Sequence, residues 1–357
     1  MRSALGNIYK DENGVYTVSV ELPRDSRTGK RRRLVKTVRG SLKDAERARA
    51  KLLTDVGRGD VVCDVIEMRE FWEDHYLPYV NKRLRAGTVF GYTKKYKQYI
   101  EPRFGNMLLS QIEPIVIDRW LDDLGTDTKR FEAFKMLRQL LSRAVRWNLL
   151  TSNPCDRVEV PNKPTYRPEV LTAEEVRIYL EHFRDSPVEA GVLIALGGGL
   201  RRSEIVALDW EDITSDGIVT VDNAITSIGG EAKDDKPKTE FSNRRVHLPK
   251  FVTKRLNELR GKGPILQNSK GERMHPEKFS HLYAQRRNTL PEGVKRIPLK
   301  NLRHTSLTMA IESGVDLLAV SRRAGHSNVS ITSAYYVRPH ERVDAAAADA
   351  MDAFLGA

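Results

Sequence analysis

Three strings near the end of the chain gather residues that suit one kind of chemistry: GGLRRSEIVALDW (198–210), LKNLRHTSLTMA (299–310) and AGHSNVSITSAYYV (324–337). They supply Arg201, Lys300, Arg303, His326 and the adjacent Tyr335 and Tyr336, while Lys238 lies between the first two strings. Guanidinium and ammonium groups bind phosphate oxygens through charge-assisted hydrogen bonds. An imidazole can exchange a proton near neutrality, and a phenol can act as a nucleophile. The set contains no carboxylate pair and no metal-ligand cluster. It fits attack on an anionic phosphodiester, with side-chain cations neutralising the charge that develops at phosphorus, so no metal or other cofactor is expected.

Arg201 follows a glycine turn and opens an apolar-periodic helix, and Glu204 is at the spacing that braces it. The triple glycine is not a phosphate-cradling loop, because no Gly-Lys-Ser/Thr follows. The stretch DDKPKTEFSNRRVHLP (234–249) reads as a hairpin, with TSIGG before it and VHL as the returning strand. Lys300 can hydrogen-bond a phosphate oxygen but is a poor base at neutral pH. His304 reads as a structural histidine. Tyr335 and Tyr336 lie nine and ten residues after His326. Helix neighbours point about 100° apart, so only one of the two can attack.

The elements that must position these residues read as a multidomain α+β chain. Residues 1–60 form a small N-terminal β-sheet plus one helix. NIYK (7–10) and VYTVSVEL (15–22) flank an Asn13-Gly14 turn signal, RRRLVKTV (31–38) is a third strand, and Ser41 with Asp44 opens a helix over 41–56. Arg31, Arg32 and Arg33 put positive charge on the third strand. Residues 61–160 read as all-helical. Helices are expected over 71–80, 88–100, 115–124 and 131–150, with 101–112 as a loop. Phe134, Leu137, Leu141, Ala144 and Val145 follow the helical period as core. Lys82, Arg83, Lys94, Lys95 and Lys97, interleaved with Tyr92, Tyr96 and Tyr99, make a basic face suited to phosphate contacts. Three prolines in 161–170 mark a linker, and Thr172 with Glu175 then caps a new helix, with Leu171 and Val176 as a hydrophobic staple. Residues 171–357 form a mainly helical domain with a small β-sheet, ending in an alanine-rich amphipathic helix over 344–357.

A net charge of +12 on a chain of 357 residues favours a polyanionic partner. The two cysteines, Cys63 and Cys155, lack CxxC spacing, so reduced thiols are expected and a disulfide framework is excluded. No run approaches the roughly 18 apolar residues of a membrane span. A soluble protein acting in the cytoplasm is the expectation.

The order and spacing of the strings resemble the tyrosine recombinase (phage integrase) family over nearly the whole chain. The resemblance implies that Arg201 and Arg303 are the two phosphate-binding arginines and that His326 belongs to the family's G-H-S motif. It implies that Lys238 is the hairpin lysine that protonates the leaving 5′ oxygen, with Lys233 and Lys236 as alternatives. Lys300 occupies a place usually held by histidine. Tyr336-Val337-Arg338 resembles the family's tyrosine-x-basic ending, which favours Tyr336 as nucleophile and leaves Tyr335 open. The N-terminal sheet and helix resemble an arm-type DNA-binding domain, and 61–160 a core-binding domain. The implied enzyme is a site-specific integrase of a phage or integrative element. It cuts and rejoins DNA through a 3′-phosphotyrosine and a Holliday junction, as a homotetramer on double-stranded core-type and arm-type sites. A DNA-bending host factor and a directionality factor are expected partners. A transposon or plasmid-resolution recombinase, or a non-catalytic DNA-binding member, are the alternatives.

Overall fold

The structure, a computed structural model, describes residues 6–12, 14–22, 32–57, 66–163, 166–234, 243–326, 328, 351–352 and 355. The chain divides into two compact units, Met1–Pro164 and Thr165–Ala357.

The first unit begins with β1 (Gly6–Lys10), β2 (Tyr16–Leu22) and β3 (Arg32–Val38), an antiparallel sheet in sequence order. Gly14 takes φ 78° in the β1–β2 turn, as the Asn-Gly signal requires. Val18 and Val20 alternate inward on β2 and are buried with Ala45 of α1 (Leu42–Gly57). The capping box of α1 forms: Asp44 Oδ2 accepts from the Ser41 N–H at 2.9 Å and its hydroxyl at 2.7 Å.

The helical part of this unit starts with α2 (Met68–Glu70) and α3 (Leu77–Asn81), joined by a π turn at Phe71–Tyr76. It continues with α4 (Ala86–Lys95) and α5 (Glu101–Phe104), joined by a second π turn at Tyr96–Ile100. Each π turn precedes a proline, Pro78 or Pro102, at the second position of the next segment. Leu77 and Glu101 donate from their N–H groups to the carbonyls five residues back, of Trp72 and Tyr96, so each helix runs without a break through the wider turn into its proline. For this reason 101–104 is helical, not the loop expected for 101–112. α6 (Pro114–Asp122) and the long α7 (Asp127–Arg146) follow, the latter capped by Thr126 and ending before Asn148 at φ 56°. Phe134, Leu137, Leu141 and Ala144 are buried as their period predicts, and Val145 is half-buried. Tyr96 is a correction: it is buried and stacks on Trp72 at 4.2 Å between centroids, so it belongs to this core and not to a basic face.

The second unit opens on α8 (Ala173–His182), whose Thr172–Glu175 capping box is made, with Leu171 and Val176 both buried. α9 (Glu189–Gly198) is buried along its whole length and packs on helices that come later in the chain. α10 (Arg202–Ala207) leads to β4 (Ile218–Val221), β5 (Ile225–Ile228), β6 (Glu231–Asp234) and β7 (Arg244–His247). These make two separate antiparallel pairs, β4 with β7 and β5 with β6. The expected single hairpin is thereby corrected. TSIGG closes its own hairpin at Gly229 and Gly230, both at positive φ, while the 244–247 strand returns to β4 so that Val246 is buried. α11 (Lys250–Leu259), α12 (Pro276–Asn288), α13 (Leu299–Glu312) and α14 (Leu317–Ala324) complete the unit. Among the described residues no helix is long and apolar enough to cross a membrane.

Candidate active site

Two helix ends define the site. α9 stops at Gly199 in the left-handed region, φ 66°, and the Gly199 carbonyl accepts from Arg303 Nη1 at 2.7 Å. α14 stops the same way at Gly325, φ 64°, where a Cβ would come within 3.0 Å of the Arg244 guanidinium. The last carbonyls of a helix have no intrahelical donors and carry the negative end of its dipole. At α14 they hold three arginines. The Arg323 carbonyl accepts from Arg244 Nε at 2.8 Å, Ala324 from Arg303 Nη2 at 2.6 Å, and Gly325 from Arg201 Nη2 at 3.1 Å.

One buried carboxylate ties two of these arginines together. Glu204 Oε1 accepts from Arg201 Nη1 at 2.8 Å, and Oε2 from the Arg201 backbone N–H at 2.8 Å. Arg244 grips both oxygens, with Nη1 to Oε1 at 3.1 Å and Nη2 to Oε2 at 2.9 Å. Burial pushes the Glu204 carboxyl up. The hydrogen bonds and charge of Arg244, with Arg201 behind them, outweigh burial and hold it at about 2. The brace expected of Glu204 is therefore made.

His326 follows directly on Gly325, and Arg303 Nη2 lies 3.0 Å from its Nε2. A guanidinium only donates, so Nε2 is the accepting nitrogen. Burial, then the charges of Arg303 and Arg201, lower this imidazole to about 4, which keeps it neutral at physiological pH. His304 is lowered to about 4 as well, by burial and then by Arg303 and Lys300. Lys300 sits one turn before Arg303 on α13, exposed, with Nζ 3.9 Å from the centroid of the Tyr166 ring.

Arg201, Glu204, Arg303 and His326 thus come together, with Lys300 on the helix that carries Arg303. Lys238, its alternative Lys236, and both Tyr335 and Tyr336 lie outside the described residues. Lys233 lies on β6, 3.3 Å from exposed Glu231. Sequence reasoning missed Arg244. Its signal was present: in the strand Arg244-Arg245-Val246-His247 the side chains alternate, so one of two adjacent arginines must turn toward the core with Val246. Of the alanine-rich end, Met351 and Leu355 are helical and exposed, and the remainder falls outside the described residues apart from Asp352.

The first unit carries a second cationic surface. A cavity of about 700 Å³ is lined by Tyr79, Arg83, Tyr92, Lys135, Arg138 and Arg143, among others. Arg83 and Arg143 both lie against the Tyr79 ring, at 4.2 and 4.4 Å from its centroid. Lys82, Lys94 and Lys97 are exposed, whereas Lys95 is paired with Glu132. Sequence reasoning had overlooked the α7 residues of this surface. Arg33 is exposed and lies 3.5 Å from Glu21, Arg32 pairs in register with Leu22 on the sheet, and Arg31 is outside the described residues. Among the described residues no group of three His, Cys, Asp or Glu side chains could hold a metal ion.

Comparison with known proteins places this constellation. Residues 169–342 match the family model described as "Phage integrase family", and 69–125 that of "Phage integrase, N-terminal SAM-like domain". A XerC-like tyrosine recombinase of Caldanaerobacter subterraneus subsp. tengcongensis is 26% identical across 95% of this chain and 96% of its own. The fold is similar to that of the Tn1549 transposon integrase solved with transposon right end DNA. The TM-score is 0.66 at 16% identity, covering 80% of this chain and 99% of that one. It is similar also to a lambda integrase solved as a tetramer on a Holliday junction, with TM-score 0.60 at 19% identity, covering 96% and 98%.

Proposed function

The chain belongs to the phage integrase family, the tyrosine recombinases that break and rejoin DNA strands at specific sites, and on that premise we propose how its own residues divide the work. Arg201 and Arg303 donate to the non-bridging oxygens of the scissile phosphate, joined by Lys300. The tyrosine at 336, or its neighbour at 335, attacks phosphorus. The bond to the 5′ oxygen breaks as Lys238 protonates it, leaving a 3′-phosphotyrosine. Attack by a 5′ hydroxyl from the partner strand reverses the step and transfers the strand. His326 contacts the scissile phosphate or, once Arg303 turns from its Nε2 to the phosphate, receives the phenolic proton there. Burial lowers this imidazole most, and the phosphate offsets the smaller part that comes from the Arg303 and Arg201 charges, which moves it upward.

The observation that carries this reading is the cluster at the end of α14. Three arginines and a histidine share one turn there with a single buried carboxylate, which leaves the cluster net positive. Such preorganised donors stabilise charge that develops in a transition state without reorganisation at the moment of reaction.

In the same reading 1–60 binds arm-type DNA, 61–160 the core site through the surface around Tyr79, 161–170 is the linker, and 171–357 is catalytic. Four copies act on two duplexes through a Holliday junction, helped by a DNA-bending host protein and a directionality factor. The nicked-duplex experiment tests it. Wild type, Tyr335→Phe and Tyr336→Phe are mixed with a suicide substrate carrying the attachment site, and denaturation-resistant protein–DNA adducts are counted. An adduct lost only in Tyr336→Phe is expected. Loss only in Tyr335→Phe moves the nucleophile by one residue, and no wild-type adduct on DNA that is bound leaves a non-catalytic DNA-binding protein.

A further inference from the structure

Tyr166 lies on the segment that enters the second unit, far in sequence from the catalytic strings, yet it meets α13 at three consecutive points of one face. Its hydroxyl donates to Asn301 Oδ1 at 2.7 Å, its ring centroid is 3.9 Å from Lys300 Nζ, and His304 lies 6.4 Å away, centroid to centroid. The segment around it is fastened to the same helix. Asn301, itself buried, donates from Nδ2 to the Glu169 carbonyl at 3.0 Å. Thr305 Oγ1 accepts from the Leu171 N–H at 3.2 Å. Lys300 is an exposed lysine with rotatable bonds along its whole stem, and such a side chain loses much rotamer entropy when it must occupy one place. An aromatic face with its quadrupole toward an ammonium narrows that freedom without neutralising the charge.

We propose that Tyr166 is a positioning residue for Lys300: the ring holds the ammonium beside Arg303, and the hydroxyl bond to Asn301 fixes the ring. The role explains how a lysine serves at a place that demands a defined donor. Histidine has two side-chain torsions and little entropy to lose there, while lysine, with four, needs an external guide. The proposal rests on the recombinase reading above.

The test is a double-mutant cycle in the full chain, on the same nicked duplex, with single-turnover adduct formation measured at saturating DNA. Tyr166→Leu is expected to form adduct about threefold more slowly at unchanged DNA affinity. In a Lys300→Met background the same substitution is expected to have no further effect. Tyr166→Phe keeps the ring but gives up the Asn301 bond that fixes it, so its rate falls between those of wild type and Tyr166→Leu. A second readout needs no catalysis. Acetylation of Lys300 by an N-hydroxysuccinimide acetate, followed by mass spectrometry, should be about threefold faster in Tyr166→Leu than in wild type. Equal slowing by Tyr166→Leu with and without Lys300 marks a merely structural residue and overturns the role. Equal labelling overturns the contact itself. A wild-type protein that makes no adduct removes the recombinase reading, and the labelling ratio still decides separately whether the ring holds the ammonium.

Discussion

Replacing Arg244 by methionine tests the electrostatic frame of the site. The side chains of Arg244 and Glu204 are 7% and 6% exposed, and the substitution removes two of the hydrogen bonds that reach this carboxylate. Two routes give the cost. Stranding one partner of a buried ion pair typically costs about 3–5 kcal/mol. Linkage gives a similar figure: a carboxyl held near 2 in place of 4.5 contributes about 3 kcal/mol at neutral pH. The sign follows from the depressed value. This stability is complete above pH 4.5 and is lost as pH falls toward 2. In Arg244→Met burial is opposed only by Arg201, so the Glu204 carboxyl rises and the penalty shrinks on going from pH 7 to pH 5. Glu204→Gln/Arg244→Met, which leaves no unpaired carboxylate buried and only the half-buried Arg201 without its partner, should recover at least about 1.5 kcal/mol of the loss. The assay is urea unfolding read by pulsed hydrogen exchange on peptides from residues 165–357, so that the unit holding Arg244 is followed by itself. An Arg244→Met protein within about 0.5 kcal/mol of wild type, or a double variant no better than the single, refutes the frame. Adduct formation gives the functional side. With Arg201 no longer braced against a clamped carboxylate, strand cleavage should fall by about 10²–10³.

His304 and His326, both lowered to about 4, bind a proton less readily folded than unfolded. Stability of the DNA-free protein should therefore be complete above pH 6.5 and decline as pH falls toward 4. Melting temperature against pH checks this, and a His304→Asn variant should show a shallower decline. The Tyr96 hydroxyl is buried with no hydrogen-bond partner among the described residues, so Tyr96→Phe should be neutral or stabilising by about 1 kcal/mol in thermal unfolding. Arg143→Ala should weaken binding to duplexes of any sequence in a fluorescence-anisotropy titration and flatten its salt dependence by about one counterion. For the wild type, affinity should drop by orders of magnitude between about 50 and 200 mM salt if roughly 6–10 phosphates are neutralised.

Local chemistry was legible in the chain. Ser41 with Asp44, Thr172 with Glu175, and Glu204 three residues after Arg201 all form the contacts their spacing dictates, because one helical turn fixes the distance between such residues whatever surrounds them. Periodicity likewise placed Leu137 and Leu141 in the core. What composition and period do not mark was misread. Tyr96 looked like part of a basic face until Trp72 stacked on it. Residues 101–104 looked like a loop because the π turn that accommodates Pro102 leaves no compositional mark. The strand at 244–247 pairs with β4 and not with the hairpin beside it, since burying Val246 requires that sheet.

The sequence by itself determined the inventory of cations, the histidine and the tyrosines, and the helices that carry most of them, because residue type and short-range spacing are properties of the chain alone. Only the tertiary structure decided that Arg201, Arg244 and Arg303 meet at the last turn of α14, and that Tyr166 lies over Lys300. Carbonyls without donors at a helix end, and a carboxylate that must be paired once buried, act through space between residues far apart in the chain, and no local pattern encodes which of them will meet.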